Sequence, residues 1–439
     1  MHTSRYNRYL ECNTSEGTTY LIYNSISNGL GTVNQPLYNA LQQNDKEYLR
    51  NCVEFESLKM GGFVYETQPD ELGKLEYTFE SLRRQKSVLN LTILPTFNCN
   101  FRCSYCFEDM TAKHGNLELS ETTREQILDF IQKSATQPGL QKIIINWTGG
   151  EPLLAYKKIL SMMETSNAIA AAQNLQIEHY MVSNGYLLTA NRAKQLSDRG
   201  MKRIQITIDG DRTTHNQRRV LEGQRGTFDK IMKNIKSSSE YIHITIRTNV
   251  DRHNVNSLTS YLDELSQFAY KDRFSVYFSA TTSYTAGGCQ SNGSCFVNEE
   301  FADVLLDLYA LAIQKGLHIS YYPMYTPVAC AAISENSLVI QPDGGLQKCW
   351  NTVGNPRYLV GHIGNKETES MQADPWLSYS PYKIEKCRSC DVLPLCGGGC
   401  AQQSFENSER EPVCREFKYN FEEMLRFNYE LQLQTNHQV

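Results

Sequence analysis

"VLNLTILPTFNCNFRCSYCFED", residues 88–109, opens as a run of apolar, β-forming residues and closes on Cys99, Cys103 and Cys106. The first half reads as a buried strand and the second as the loop leaving it. Tetrahedral zinc wants four ligands, so three thiols in one loop suit a site whose last position something else fills. A cubane iron–sulfur cluster is such a site, because each of its four irons needs one outside ligand. Cysteines spaced Cys-x3-Cys-x2-Cys reach three corners and leave one iron to chelate the amino and carboxylate groups of a small molecule. A zinc loop, or three structural cysteines, are the competing readings of the same residues.

Outward from this stretch, residues 89–320 alternate strand and helix. "VLNLTILP" is followed by "SETTREQILDFIQKSA", with Ser120 as its cap and Ile127, Leu128 and Ile131 on one face. "KIIINW", "IEHYMVSN", "KRIQITID", "YIHITIRTNV" and "RFSVYFSA" are further strands, each followed by a helical pattern. Six such units imply a parallel sheet with right-handed crossovers, closed short of eight: an α/β fold, a partial (β/α)6 TIM-like barrel. Ligands in such sheets lie beyond the carboxyl ends of the strands, and the three-cysteine loop sits at one.

The 439-residue chain has room for two or three domains. Residues 1–88 mix alternating segments such as "TTYLIYNSISNG" with helical ones such as "QPLYNALQQ". They predict a small α+β module and a linking helix over "QPDELGKLEYTFESLRRQ". Residues 321–439 predict a hairpin turning at Pro342-Asp343-Gly344 and a terminal amphipathic helix with Phe417, Phe421, Met424 and Leu431 inward. A net charge of −5 without a basic stripe argues against nucleic acid as a partner. No secretory h-region and no run long enough to span a bilayer are present, so a cytoplasmic, non-membrane protein is expected. Fourteen cysteines in such a compartment point to metal or redox chemistry. Cys12 and Cys52 stand alone and Cys289 and Cys295 form a loose pair, whereas seven others fall between Cys330 and Cys414.

Cys-x3-Cys-x-aromatic-Cys after a first strand resembles the signature of the radical S-adenosylmethionine (SAM) enzymes. In that family the open iron binds SAM, and the reduced cluster cleaves it to a 5′-deoxyadenosyl radical that abstracts hydrogen from a substrate. The resemblance implies that Tyr105 lies against the adenine. It implies that "TGGEP" (Thr148, Gly149, Gly150, Glu151) lines the methionine moiety, with a carboxylate or carbonyl to accept from its ammonium. Ser183 and Asn184 of "VSNG" approach methionine or ribose on the same grounds. Asp209 of "TIDG", His215 and Arg219 of "HNQRR", and Arg247 and Asn249 of "IRTNVD" complete the strand ends. A core histidine and a surface arginine remain equally good readings of His215 and Arg219.

Cys330, Cys349, Cys387, Cys390, Cys396, Cys400 and Cys414 resemble the seven-cysteine SPASM domain of peptide-modifying radical SAM enzymes, which holds two auxiliary 4Fe–4S clusters. A zinc site from Cys387, Cys390, Cys396 and Cys400 is the competing reading. The resemblance implies an outer cluster on Cys387, Cys390, Cys396 and Cys414, and an inner one on Cys330, Cys349 and Cys400. Met324 stands where fully ligated relatives have another cysteine. The inner cluster is therefore expected to keep an open iron, with Cys289 and Cys295 as rival ligands. Residues 1–88 resemble the winged-helix-like element by which peptide maturases hold a leader peptide as an added strand; a simple cap over the barrel is the alternative. The implied activity is maturation of a ribosomally made precursor peptide, served by three 4Fe–4S clusters, SAM and an electron donor such as flavodoxin or ferredoxin. An intramolecular cross-link, thioether or carbon–carbon, is the expected product. Formylglycine formation, as in anaerobic sulfatase maturation, is the alternative, although Trp350 occupies the place of that group's proposed aspartate base. A non-catalytic electron-transfer or peptide-binding scaffold is the third. The sequence identifies no general base.

Overall fold

The computed structural model describes residues 1–14, 17–106, 117–281, 293–319, 322–364, 375–407 and 411–436. Its centre is a nine-stranded sheet. β6 (Val88–Ile93), β8 (Lys142–Trp147), β9 (Gln176–Ser183), β10 (Met201–Thr207), β12 (His243–Val250) and β13 (Phe274–Ala280) lie side by side and parallel. Along β8, β9, β10 and β12 buried residues alternate with less buried ones, Ile143 and Ile145, Ile204 and Ile206, and Ile244 and Ile246 forming the fully buried face. The strands therefore read mostly as alternating patterns, with apolar residues on the buried face and polar ones such as Gln205 and Thr245 between them.

The helices form where caps and spacing allow. Ser120 accepts from the Thr123 amide at the head of helix Glu121–Ala135, whose Ile127 and Ile131 are fully buried. Thr189 and Asp211 cap Ala190–Asp198 and Arg212–Arg218 in the same way. These crossovers return the chain to the next parallel strand and leave every strand's carboxyl end on one face.

The sheet does not stop at residue 320. β14 (Ser337–Ile340) runs parallel to β6, and β15 (Gly345–Gln347) and β16 (Gly361–His362) extend it antiparallel. The predicted turn is present, with Gly344 at φ +92°, where a Cβ would lie 2.6 Å from the His362 ring. A boundary at 320/321 thus cuts a continuous sheet. β14 is a short run of apolar residues that gives no sign in sequence of its partner.

At the amino end β2 (Asn7–Thr14), β3 (Gly17–Asn24) and β4 (Leu30–Val33) form an antiparallel sheet. α1 (Gln35–Gln43), α2 (Lys46–Asn51) and α3 (Phe55–Met60) follow it, and β1 (His2–Thr3) pairs with β5 (Val64–Tyr65). One face of the three-stranded sheet packs on α1–α3 through Ile22, Leu37, Leu41, Leu49 and Leu58. The other packs Leu10, Leu21 and Tyr23 against Val392, Leu395, Phe421 and Leu425. Phe421, Met424 and Leu425 are the buried side of helix Phe417–Asn436, so Leu425 joins the predicted stripe.

Candidate active site

The cysteine loop leaves β6 and is stitched back onto the barrel. β7 (Phe101–Cys103) pairs antiparallel with β11 (Arg219–Leu221), setting Cys103 opposite Arg219. The Ser104 amide donates to Arg218 O at 3.0 Å, and Glu222 N donates to Asn100 O at 3.0 Å. Cys99 and Cys103 are half-buried and Cys106 is exposed. Burial pushes the Cys99 thiol up to about 12, with Glu151, Cys103 and Cys106 adding to the rise. Thiols held this way carry charge only when a metal compensates them.

The "TGGEP" segment meets this loop backbone to backbone. Thr148 N donates to Ile93 O, Gly150 N to Thr96 O and Glu151 N to Asn98 O at 3.1, 3.2 and 2.8 Å. A Cβ on Gly150 would lie 2.3 Å from Asn98 O, and Gly149 sits at φ +117°. The glycines thus lie against the backbone of the cysteine loop. The Glu151 carboxylate is fully buried and accepts from Leu153 N (2.9 Å), Ser183 Oγ (2.8 Å) and Asn184 N (2.7 Å). These donors tie the ends of β8 and β9 together, while burial raises the carboxyl above its usual range. Asn184 Nδ2 in turn donates to Asn100 Oδ1 at 2.8 Å, so "VSNG" braces the same loop.

Tyr105 anchors the loop across the strand ends. Its hydroxyl donates to Asp209 Oδ2 and accepts from Arg219 Nη1 (2.6 Å) and Asn249 Nδ2 (3.1 Å). Asp209, fully buried, also accepts from Asn249 N at 3.1 Å. Burial pushes the Tyr105 hydroxyl well up. The Arg218 guanidinium lies 5.0 Å from the centre of the Tyr105 ring and pairs with Asp251 Oδ2 at 2.7 Å. Arg218 and Asp251 were not singled out in the sequence; only the doublet "RR" and an aspartate just past a strand hinted at them. Arg247 donates to Asn249 Oδ1 (2.8 Å) and orients it rather than meeting Tyr105. His215 is a buried core residue. Its Nδ1 accepts from Asp209 N (3.3 Å), Nε2 faces Thr227 Oγ1 (3.1 Å), and burial holds its pKa far below the usual value.

Arg219 is the unsatisfied member. It is 8% exposed, its charge faces Cys103 and Tyr105, and its Nε is buried without a hydrogen-bond partner. A buried donor left open beside three thiols suits an anionic group bound there.

The carboxy-terminal thiols gather in two further sets. Cys349 feels Cys330 and Cys400, and Cys387 feels Cys396, Cys390 and Cys414; burial pushes both Cys349 and Cys387 up to about 12. Tyr379 sits between the sets and donates to Gly398 O at 2.6 Å. Among the described residues no three His, Cys, Asp or Glu side chains close on a single-ion site. These seven free thiols exceed the four that one tetrahedral zinc takes. Met324 is 61% exposed and Trp350 50% exposed. Cys289 lies outside the described residues.

Residues 93–275 match the Radical SAM superfamily, and the chain carries a radical SAM domain, with the SAM-binding 4Fe–4S cluster that domain implies. The cysteine-type anaerobic sulfatase-maturating enzyme of Clostridium novyi (strain NT) is 24% identical over 363 residues, 76% of this chain and 94% of that relative. Native anSMEcpe with bound AdoMet and Cp18Cys peptide superposes at TM-score 0.59 and 18% identity, covering 80% of this chain and 98% of that one. Streptococcus suis SuiB bound to precursor peptide SuiA does so at TM-score 0.54 and 15% identity, covering 94% and 98%. Among the described residues no helix is long and apolar enough to cross a membrane.

Proposed function

We propose that this enzyme is a radical SAM peptide maturase that forms an intramolecular cross-link, thioether or carbon–carbon, in a ribosomally made precursor peptide. The observation that carries the reading is the gathering of the cysteines into three sets: Cys99/Cys103/Cys106, Cys330/Cys349/Cys400 and Cys387/Cys390/Cys396/Cys414. The first set would hold the SAM-binding cluster and the others two auxiliary clusters. When bound, these groups supply the electron that cleaves SAM and accept the one released as a new bond forms. Arg219 Nε offers a charge-assisted bond to the cosubstrate's carboxylate. Tyr105, Asp209 and Asn249 fix the loop to the strand ends. Glu151 and Ser183 hold the facing turn rigid without surrendering their own hydrogen bonds to a ligand.

A peptide substrate is supported by the relatives, whose solved forms include bound peptides. It is also supported by the amino-terminal sheet. Among the described residues β4 is paired only to β3, so one row of its backbone groups is available to an added leader strand. Met60 of α3 and Val53 before it are 80% and 97% exposed beside this module. A cleft of ≈ 630 Å³ opens on the opposite face, lined by Leu21, Leu30, Thr32, Tyr322 and Tyr429.

Formylglycine formation is the second reading, favoured by the sulfatase-maturating relatives. Trp350 argues against it, since an indole cannot serve as a base. Co-expression with a candidate precursor, followed by mass spectrometry and hydrazide trapping, separates the two. A loss of ~2 Da with no trapped aldehyde supports the cross-link. A trapped aldehyde replaces it with formylglycine.

A further inference from the structure

We infer that Lys418, Asp391 and Arg8 form a charge relay that sets the reduction potential of the outer auxiliary cluster, with the amino-terminal module as one contributor. The inference rests on the reading of Cys387, Cys390, Cys396 and Cys414 as that cluster's ligands.

Lys418 Nζ lies 3.5 Å from Cys390 Sγ and 3.4 Å from Asp391 Oδ1. Asp391 Oδ1 is itself 3.8 Å from Cys390 Sγ, and its other oxygen pairs with Arg8. Arg8 belongs to β2, and its guanidinium also reaches Glu422 at 4.0 Å and the Phe421 ring at 5.6 Å. Two cations from distant parts of the chain thus bracket one carboxylate beside one thiol.

The placement has a cost that packing does not explain. Lys418 stands in the first turn of helix Phe417–Asn436, where the macrodipole disfavours a positive charge. Half-exposed, it could have turned to solvent. It faces the sulfur instead.

Cluster potentials follow the net charge and hydrogen bonds around the ligating sulfurs. Reduction adds one electron and puts more negative charge on those sulfurs, so an ammonium at hydrogen-bond range stabilises the reduced form most. Asp391 works the other way, and Arg8 offsets Asp391. The amino-terminal module is therefore part of the electrostatic surroundings of the outer cluster, not only a neighbour in the fold. Arg5, which donates to Arg388 O at 2.9 Å, fastens the same junction.

The test uses the full-length chain, reconstituted anaerobically and titrated with dithionite and mediators under EPR, with iron counted for each variant. Lys418→Met lowers the midpoint of one auxiliary signal by about tenfold in the reduction equilibrium, about 59 mV for one electron. Lys418→Arg restores most of it. Asp391→Asn shifts the same signal upward, and Arg8→Met shifts it downward by a smaller factor. Should Lys418→Met lose iron, Arg8→Met decides the matter, since Arg8 pairs with Asp391 and not with the sulfur. Midpoints coincident with the parent at unchanged iron content overturn the inference. A parent that carries only one cluster's iron and shows no auxiliary signal overturns the ligand reading beneath it.

Discussion

The hydroxyl of Tyr105 ties the cysteine loop to three other elements through one atom: Asp209 at the end of β10, Arg219 on β11 and Asn249 near the end of β12. Tyr105→Phe removes one donor and strands Arg219 Nη1 and Asn249 Nδ2 in a buried place. A loss of about 1–3 kcal/mol in stability is expected by denaturant titration, together with weaker SAM binding by calorimetry. Replacing Cys99, Cys103 and Cys106 by alanine together is expected to remove about four irons per chain and abolish 5′-deoxyadenosine formation, while the auxiliary EPR signals persist. At this scale the sequence was informative about cysteines and poor about their neighbours. Thiol spacing is a local signal, whereas the Arg218–Asp251 pair joins residues 33 apart that meet only once the barrel closes. The three protein donors to the buried Glu151 carboxylate were likewise not legible, because they come from turns that meet only in the folded chain.

Elements make the site by their ends. β8 finishes at Trp147, and the next residues press glycine backbone onto the cysteine loop. Gly150→Ala would set a methyl 2.3 Å from Asn98 O, within a segment whose own hydrogen bonds fix it. Loss of the SAM-binding cluster, read as iron content and 5′-deoxyadenosine yield, is the expected result. One strand further, His179 on β9 is fully buried, accepts from Trp147 Nε1 and faces Asn167 Oδ1 at 2.9 Å through Nε2. Burial lowers its pKa from 6.5 to about 4. The unfolded chain therefore takes up the proton first as pH falls. Stability is full above about pH 6.5 and is lost as pH drops toward 4, by up to about 3 kcal/mol. His179→Gln should flatten that slope in denaturant titrations at pH 5 and 7.5. The alternation of strand and helix was readable because most of the parallel strands repeat apolar residues every second position and each helix every three or four. Nothing of that kind marks β7 and β11, three residues each, which hold the loop in place.

For the whole molecule, the decisive arrangement is an amino-terminal sheet packed between its own helices on one side and the terminal helix and outer-thiol loop on the other. Excising that module would uncover Val392, Leu395 and Phe421, so leader binding is better tested by surface changes. Val53→Asp with Met60→Asp is expected to raise KM for a full-length precursor at least tenfold. Uncoupled SAM cleavage should be unaltered and stability should move by less than about 0.5 kcal/mol. The change in cysteine density and periodicity could be read along the chain. The joining of β14 to β6 could not, because strand partners are chosen in three dimensions. That pairing has a consequence for biosynthesis. β6, which launches the first cysteine loop, waits for residues 337–340 before both its flanks are occupied, so during translation its edge stays sticky until most of the polypeptide has left the ribosome. A nascent chain halted at residue 320 should accordingly need chaperones to stay dispersed, and loading of iron into the earliest-made loop should be one of the last events in the protein's assembly.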